Sequence, residues 1–192
     1  MTDFIYTLLS AALINNFVLQ QPLGVDSLPQ ANALARHRLH ALGIATCWLM
    51  LASSVISYLI LEYVLSPLNL TYLRLFVYLP VIVLLIAPSL TGLSTLFPRL
   101  DFSGLWPLLL GNAGIAGVLL IGLATERGFG HLIALSLGAG LGFWLVLSLL
   151  DDLMQRVRSE DIPQAFRGMP IQLIGTGLMG LAFLGFNGLI KA

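Results

Sequence analysis

Between Leu13 and Asp26 the chain reads LINNFVLQQPLGVD, and this stretch lies inside the first long apolar segment. Asn15, Asn16, Gln20, Gln21 and Pro22 therefore fall where hydrocarbon is expected. An amide left without a partner in lipid costs several kcal/mol. A proline at the same depth removes a backbone donor and breaks the helix. Irregular backbone inside a bilayer survives only where protein or a water-filled cavity surrounds it. The segment is thus expected to face inward, with the rest of the chain enclosing it.

A second interruption, GNAGIAG from Gly111 to Gly117, sits in the apolar run from Phe102 to Thr125 and carries one amide, Asn112. Hydrophobic residues make up 58% of the 192 positions and charged residues 9%, against about 25% charged in soluble domains. This excludes a soluble fold, and the net charge of +0 gives no signal for a nucleic-acid partner. Cys47 is the single cysteine, so neither a disulfide framework nor an intrachain thiolate cluster is expected. MTDFIYTLL lacks a basic opening and a clear cleavage site, and reads as a retained first helix.

Six segments are long enough to cross a bilayer: Phe4–Val25, Leu39–Leu61, Leu75–Pro98, Phe102–Thr125, Gly128–Leu150 and Gly168–Ile190. The expected fold is an all-α integral membrane domain of six transmembrane helices, with spans one and four broken. The loops after spans one, three and five carry Arg36, Arg38, Arg99, Arg156, Arg158 and Arg167, against Arg74, Arg127 and Lys191 on the other side. That bias puts the first group in the cytoplasm and both termini in the periplasm of a bacterial inner membrane. Three spans precede residue 99 and three follow, and the first member of each half is interrupted by amides. An odd number of spans per half gives an inverted repeat, residues 1–98 and 99–192.

Asn15, Asn16, Asn112, Gly111 and Gly114 are the candidates for an ion or electron path. The amides either brace a broken helix and line a path, or bond neighbouring helices together. The glycines either permit a break or only let helices approach. Asp26 either is an intramembrane acid or caps a turn. Gly138, Gly140 and Gly142, with Gly175, Gly177 and Gly180, are expected at tight helix contacts. Asp151 and Asp152 are read as following span five, ahead of a charged loop suited to docking a partner. His37, His40 and His131 make no spaced metal motif.

At LINNFVLQQPLG, GNAGIAGVLL and EDIPQAFRGMPIQLIGTGLMGLAFLGFNGL the chain resembles the A-type subunits of the Rnf ion-translocating electron-transport complexes. It is similar, less closely, to their E-type subunits and to the D and E subunits of sodium-pumping NADH:quinone reductase. The resemblance implies two inverted three-helix halves and an E-type partner in the membrane. It also implies a complex that moves electrons between ferredoxin and NAD while moving Na+ or H+. FMN, flavins and iron–sulfur clusters belong to the B, C, D and G partners.

In the resembled family the A-type and E-type subunits share a [2Fe–2S] cluster held by a cysteine at each broken helix. The positions that match those cysteines hold Asp26 and Ala113 here. No cofactor or metal is therefore expected on this chain, nor a complete catalytic site. A self-contained inverted-repeat transporter and a structural scaffold are the alternative readings.

Overall fold

Apolar runs of this length satisfy their own backbone only as helices, and helices are the only regular elements among the described residues. The computed structural model describes residues 2–20, 36–125, 128–157 and 162–188. α1 (Thr2–Leu9) passes into a π-helical turn (Ser10–Ile14) and then α2 (Phe17–Gln20). α3 (Arg36–Ile60) likewise ends in a π turn, Leu61–Leu65. α4 (Arg74–Leu96) follows, then the short α5 (Trp106–Leu110) and α6 (Ala113–Ala124). α7 (Phe129–Arg156) and α8 (Met169–Leu184) complete the set.

Among the described residues four stretches are long and apolar enough to cross a membrane: His37–Leu65, Thr71–Leu96, Trp106–Ala124 and Phe129–Arg156. The first and last expected spans appear as the shorter apolar helices Asp3–Ile14 and Met169–Leu184. Gln21, Pro22 and Asp26 lie outside the described residues.

α7 is the most buried of the four long helices and α4 the least. Glycine makes α7 the axis of the bundle. A Cβ on Gly138 would lie 2.5 Å from the Leu8 carbonyl oxygen, and one on Gly142 would lie 2.8 Å from that of Ala12. One turn apart, these two glycines let α1 lie with its backbone against α7. Gly140 points the opposite way, where a Cβ would stand 2.6 Å from the Cα of Cys47 on α3.

Contacts between α3 and α7 run in descending order. Gly43 meets Trp144, Cys47 meets Gly140, and the Ser54 and Ser136 hydroxyls bond at 2.7 Å. The two helices are therefore antiparallel, whereas α1 with its π turn, whose Leu8 and Ala12 meet Gly138 and Gly142 in ascending order, runs parallel to α7.

The fifth expected span proves too short. α7 continues past Leu150 to Arg156, so Asp151 is a buried helix residue rather than part of a loop. Gln155 Nε2 donates to its Oδ2 at 2.7 Å, an i to i+4 contact that favours the extra turn. Gly177 also departs from expectation. Nothing stands within 4 Å of a Cβ placed there, while Gly175 is packed on Met154 and Leu153.

Candidate functional site

The first described break falls at Asn15 and Asn16. Its cause is local. The Asn15 N–H bonds the Ser10 carbonyl at 2.7 Å, closing a π turn, and Asn15 then leaves helical geometry at φ −97, ψ 50. Asn16 restarts the helix as its cap: its Oδ1 accepts from the N–H groups of Val18 at 3.0 Å and Leu19 at 3.4 Å. Its Nδ2 reaches back to the Ala12 carbonyl at 2.8 Å. One fully buried side chain thus bonds the backbone on both sides of the break. Gln20 Nε2 adds a bond to the Ile14 carbonyl.

The second break repeats this construction. α5 stops at Leu110, the Gly111 N–H bonds the Pro107 carbonyl at 3.0 Å, and Asn112 is extended at φ −79, ψ 95. Asn112 Oδ1 accepts from the Gly114 N–H at 2.9 Å and so caps α6. Its Nδ2, although Asn112 is only 3% exposed, has no hydrogen-bond partner among the described residues. A buried amide donor left in that state costs about 1–3 kcal/mol.

The two breaks lie on helices that pack together, since α2 contacts α6. A Cβ on Gly142 would lie 2.8 Å from Asn16 Nδ2. Gly122 meets Leu132 and Leu135 where α6 turns back into α7, so these two helices are antiparallel. Since α1 runs parallel to α7 and α6 antiparallel to it, the two broken spans enter from opposite faces.

Their surfaces differ from their centres. Asn15, Gly111 and Ala113 are exposed, whereas Asn16, Asn112 and Gly114 are buried. Asn15 Nδ2 holds Ser10 Oγ at 3.1 Å. The site candidates therefore divide into buried residues and exposed polar or small residues beside the breaks. Asp26 lies outside the described residues.

Sequence reasoning passed over several polar groups. Thr46, Ser53 and Ser57 are buried on α3 at spacings that share one face, and Tyr78 is buried on α4. The hydroxyls of Thr46, Ser57 and Tyr78 have no hydrogen-bond partner among the described residues. The seven- and four-residue spacings were the signal for the α3 stripe. Trp144 donates from Nε1 to His40 Nδ1 at 3.2 Å.

Arg38, at the start of α3, clasps the loop ahead of α5, with Nε 3.4 Å from Asp101 Oδ2 and a bond from Nη2 to the Ser103 carbonyl. Hydrogen bonds from the Ser103 hydroxyl and N–H, helped by Arg38, hold the Asp101 carboxyl below its ordinary range.

Compared with known proteins, the chain matches the family described as Rnf-Nqr subunit, membrane protein, over residues 4–190. It is 35% identical to the A-type subunit of the ion-translocating oxidoreductase complex of Colwellia psychrerythraea. Identity is 37% to the corresponding protein of Thioalkalivibrio sulfidiphilus and 36% to that of Aeromonas salmonicida. Each alignment covers 100% of both chains.

Proposed function

The chain belongs to the Rnf-Nqr family of membrane subunits, and on that footing we propose that it is the A-type membrane subunit of a redox-driven, ion-translocating oxidoreductase complex. The assembly transfers electrons between ferredoxin and NAD and couples this to movement of Na+ or H+. This subunit contributes the membrane core, beside a homologous E-type partner, with FMN, flavins and iron–sulfur clusters on the B, C, D and G partners.

The observation that carries this reading is that Asn15, Gly111 and Ala113 are exposed where the two helices break. Lipid tails cannot satisfy interrupted backbone or an amide, so a partner's surface or a water-filled cavity must meet them, and the full-length likeness to subunits of a complex favours the partner.

The inverted repeat is part of the proposal. Asn16 and Asn112, Trp48 and Trp144, and Pro67 and Pro163 are identical pairs, each 96 positions apart, half the chain. The opposed directions of the broken spans agree with halves at 1–98 and 99–192. Arg38 ties the start of α3 to the loop ahead of α5, and antiparallel packing brings the Arg156 end of α7 to the same face. That face gathers Arg36, Arg38, Arg99 and Arg156, which supports a cytoplasmic assignment and periplasmic termini in a bacterial inner membrane.

Affinity purification from membranes in mild detergent tests the reading. Co-migration with flavoprotein and iron–sulfur partners, and loss of their coupled ion movement in liposomes when this chain is absent, is the expected result. A lone species that moves ions in liposomes would establish a transporter instead. Unimpaired turnover with Asn16 or Asn112 replaced would reduce the chain to a scaffold.

A further inference from the structure

The family implies a cluster at the broken helices, so the donor atoms here decide whether one fits. A [2Fe–2S] centre takes four thiolates, or two thiolates with two imidazoles. The head of α6 supplies Ala113, a methyl group with no donor atom, and the residues beside it are Asn112 and Gly114. Cys47, the only thiol in the chain, faces elsewhere. It lies on α3 against α7, where a Cβ on Gly140 would stand 2.7 Å from its Sγ.

The imidazoles are no closer to the task. His40 is committed through Nδ1 to Trp144 and His131 through Nδ1 to Thr7. Among the described residues no three His, Cys, Asp or Glu side chains gather as a metal-binding group. The other matching position holds Asp26, which offers one hard carboxylate where soft thiolates are needed.

We infer that this chain keeps the broken-helix architecture of its family but contributes no ligand to an iron–sulfur cluster at the breaks. The inference rests on the A-type reading above and narrows it. What survives at the head of α6 is donor chemistry: the capped helix N-terminus and Asn112 Nδ2, which has no partner among the described residues. Both suit an oxygen acceptor from water or a neighbouring chain, and neither can bind iron. The breaks then serve the shape of the membrane core and its assembly, and this chain stores no electron of its own.

The test compares the intact assembly purified with the native chain, with Asp26→Ala and with Cys47→Ser. Iron is counted per assembly, and the dithionite-reduced sample is examined by electron paramagnetic resonance. Iron content and spectrum are expected to be identical in all three. A [2Fe–2S] signal weakened or lost in either variant, at unchanged subunit composition, would overturn the inference.

If Asp26→Ala fails to assemble, Asp26→Asn, which keeps the shape and the hydrogen-bonding capacity, is used in its place. Should the chain purify without redox partners, the A-type reading fails. Iron bound to the lone protein would overturn the inference as well.

Discussion

The two broken helices share a plan and differ in how far this chain completes it. In each, an asparagine Oδ1 caps the downstream half-helix through the N–H two residues on, Val18 in one and Gly114 in the other. At the first break the same side chain also bonds the upstream half and rests on Gly142. At the second, the amide hydrogens of Asn112 are buried and unpartnered among the described residues. The first break is therefore a finished joint, held by α7. The second is finished on its helix side only, and its remaining donors call for an acceptor from outside the described residues.

Substitutions sharpen this contrast. The largest loss is expected from Gly138→Ala, because the new methyl meets the Leu8 backbone and the Ala11 Cβ at 2.9 Å, and backbone has nowhere to retreat. About 3 kcal/mol is expected, read as a lower thermal midpoint in detergent. Asn16→Ala removes two capping bonds and the bond to Ala12, and should cost about 2 kcal/mol by the same measurement.

Asn112→Ala removes one cap but also an unsatisfied donor, so about 1 kcal/mol or less is expected in the isolated subunit. If a partner satisfies Nδ2, the same substitution costs more in the complex, visible as weaker retention of the chain during purification. Equal costs for the two asparagines in the isolated chain would break the comparison.

Gly177→Ala serves as the control. It meets nothing within 4 Å, and a gain of roughly 0.5 kcal/mol is expected from helix propensity.

The smallest effect belongs to the loop that leads into the second break. The Asp101 carboxyl is held below its ordinary value of 3.8 by Ser103 and Arg38. Its contribution is therefore present above that value and lost as pH falls through the lowered one. Asp101→Asn should flatten that part of a stability profile and leave neutral pH nearly unchanged, since the pair is exposed to solvent screening.

Much of this was legible from residue type. Amides and small residues inside apolar runs located both breaks, because hydrocarbon tolerates such groups only for a reason. The exact hinge was not legible. Among the described residues the joint is set by Asn16, whose cradle on α7 is over a hundred positions away.

Nor could spacing assign the glycines of α7. Gly138 and Gly142 meet α1, and Gly140 meets α3, but a helix apolar on most sides carries no stripe to say which face meets which neighbour. The length of α7 was missed because Asp151 and Asp152 resembled a boundary, and a buried acid bonded to Gln155 can continue a helix. The clasp of Arg38 on Asp101 and Ser103 joins the first turn of α3 to the loop ahead of α5, which no local pattern reveals.

The cradle of Asn16 also has a consequence for biogenesis. Its wall at Gly142 is made 126 residues after the amide it shelters, roughly ten seconds later at ribosomal rates of ~5–20 residues per second. Until the fifth span leaves the translocon, the nascent first helix carries its amides into the bilayer without their neighbour. In that interval the Asn16 side chain is sheltered by its local bonds to Ala12, Val18 and Leu19 alone.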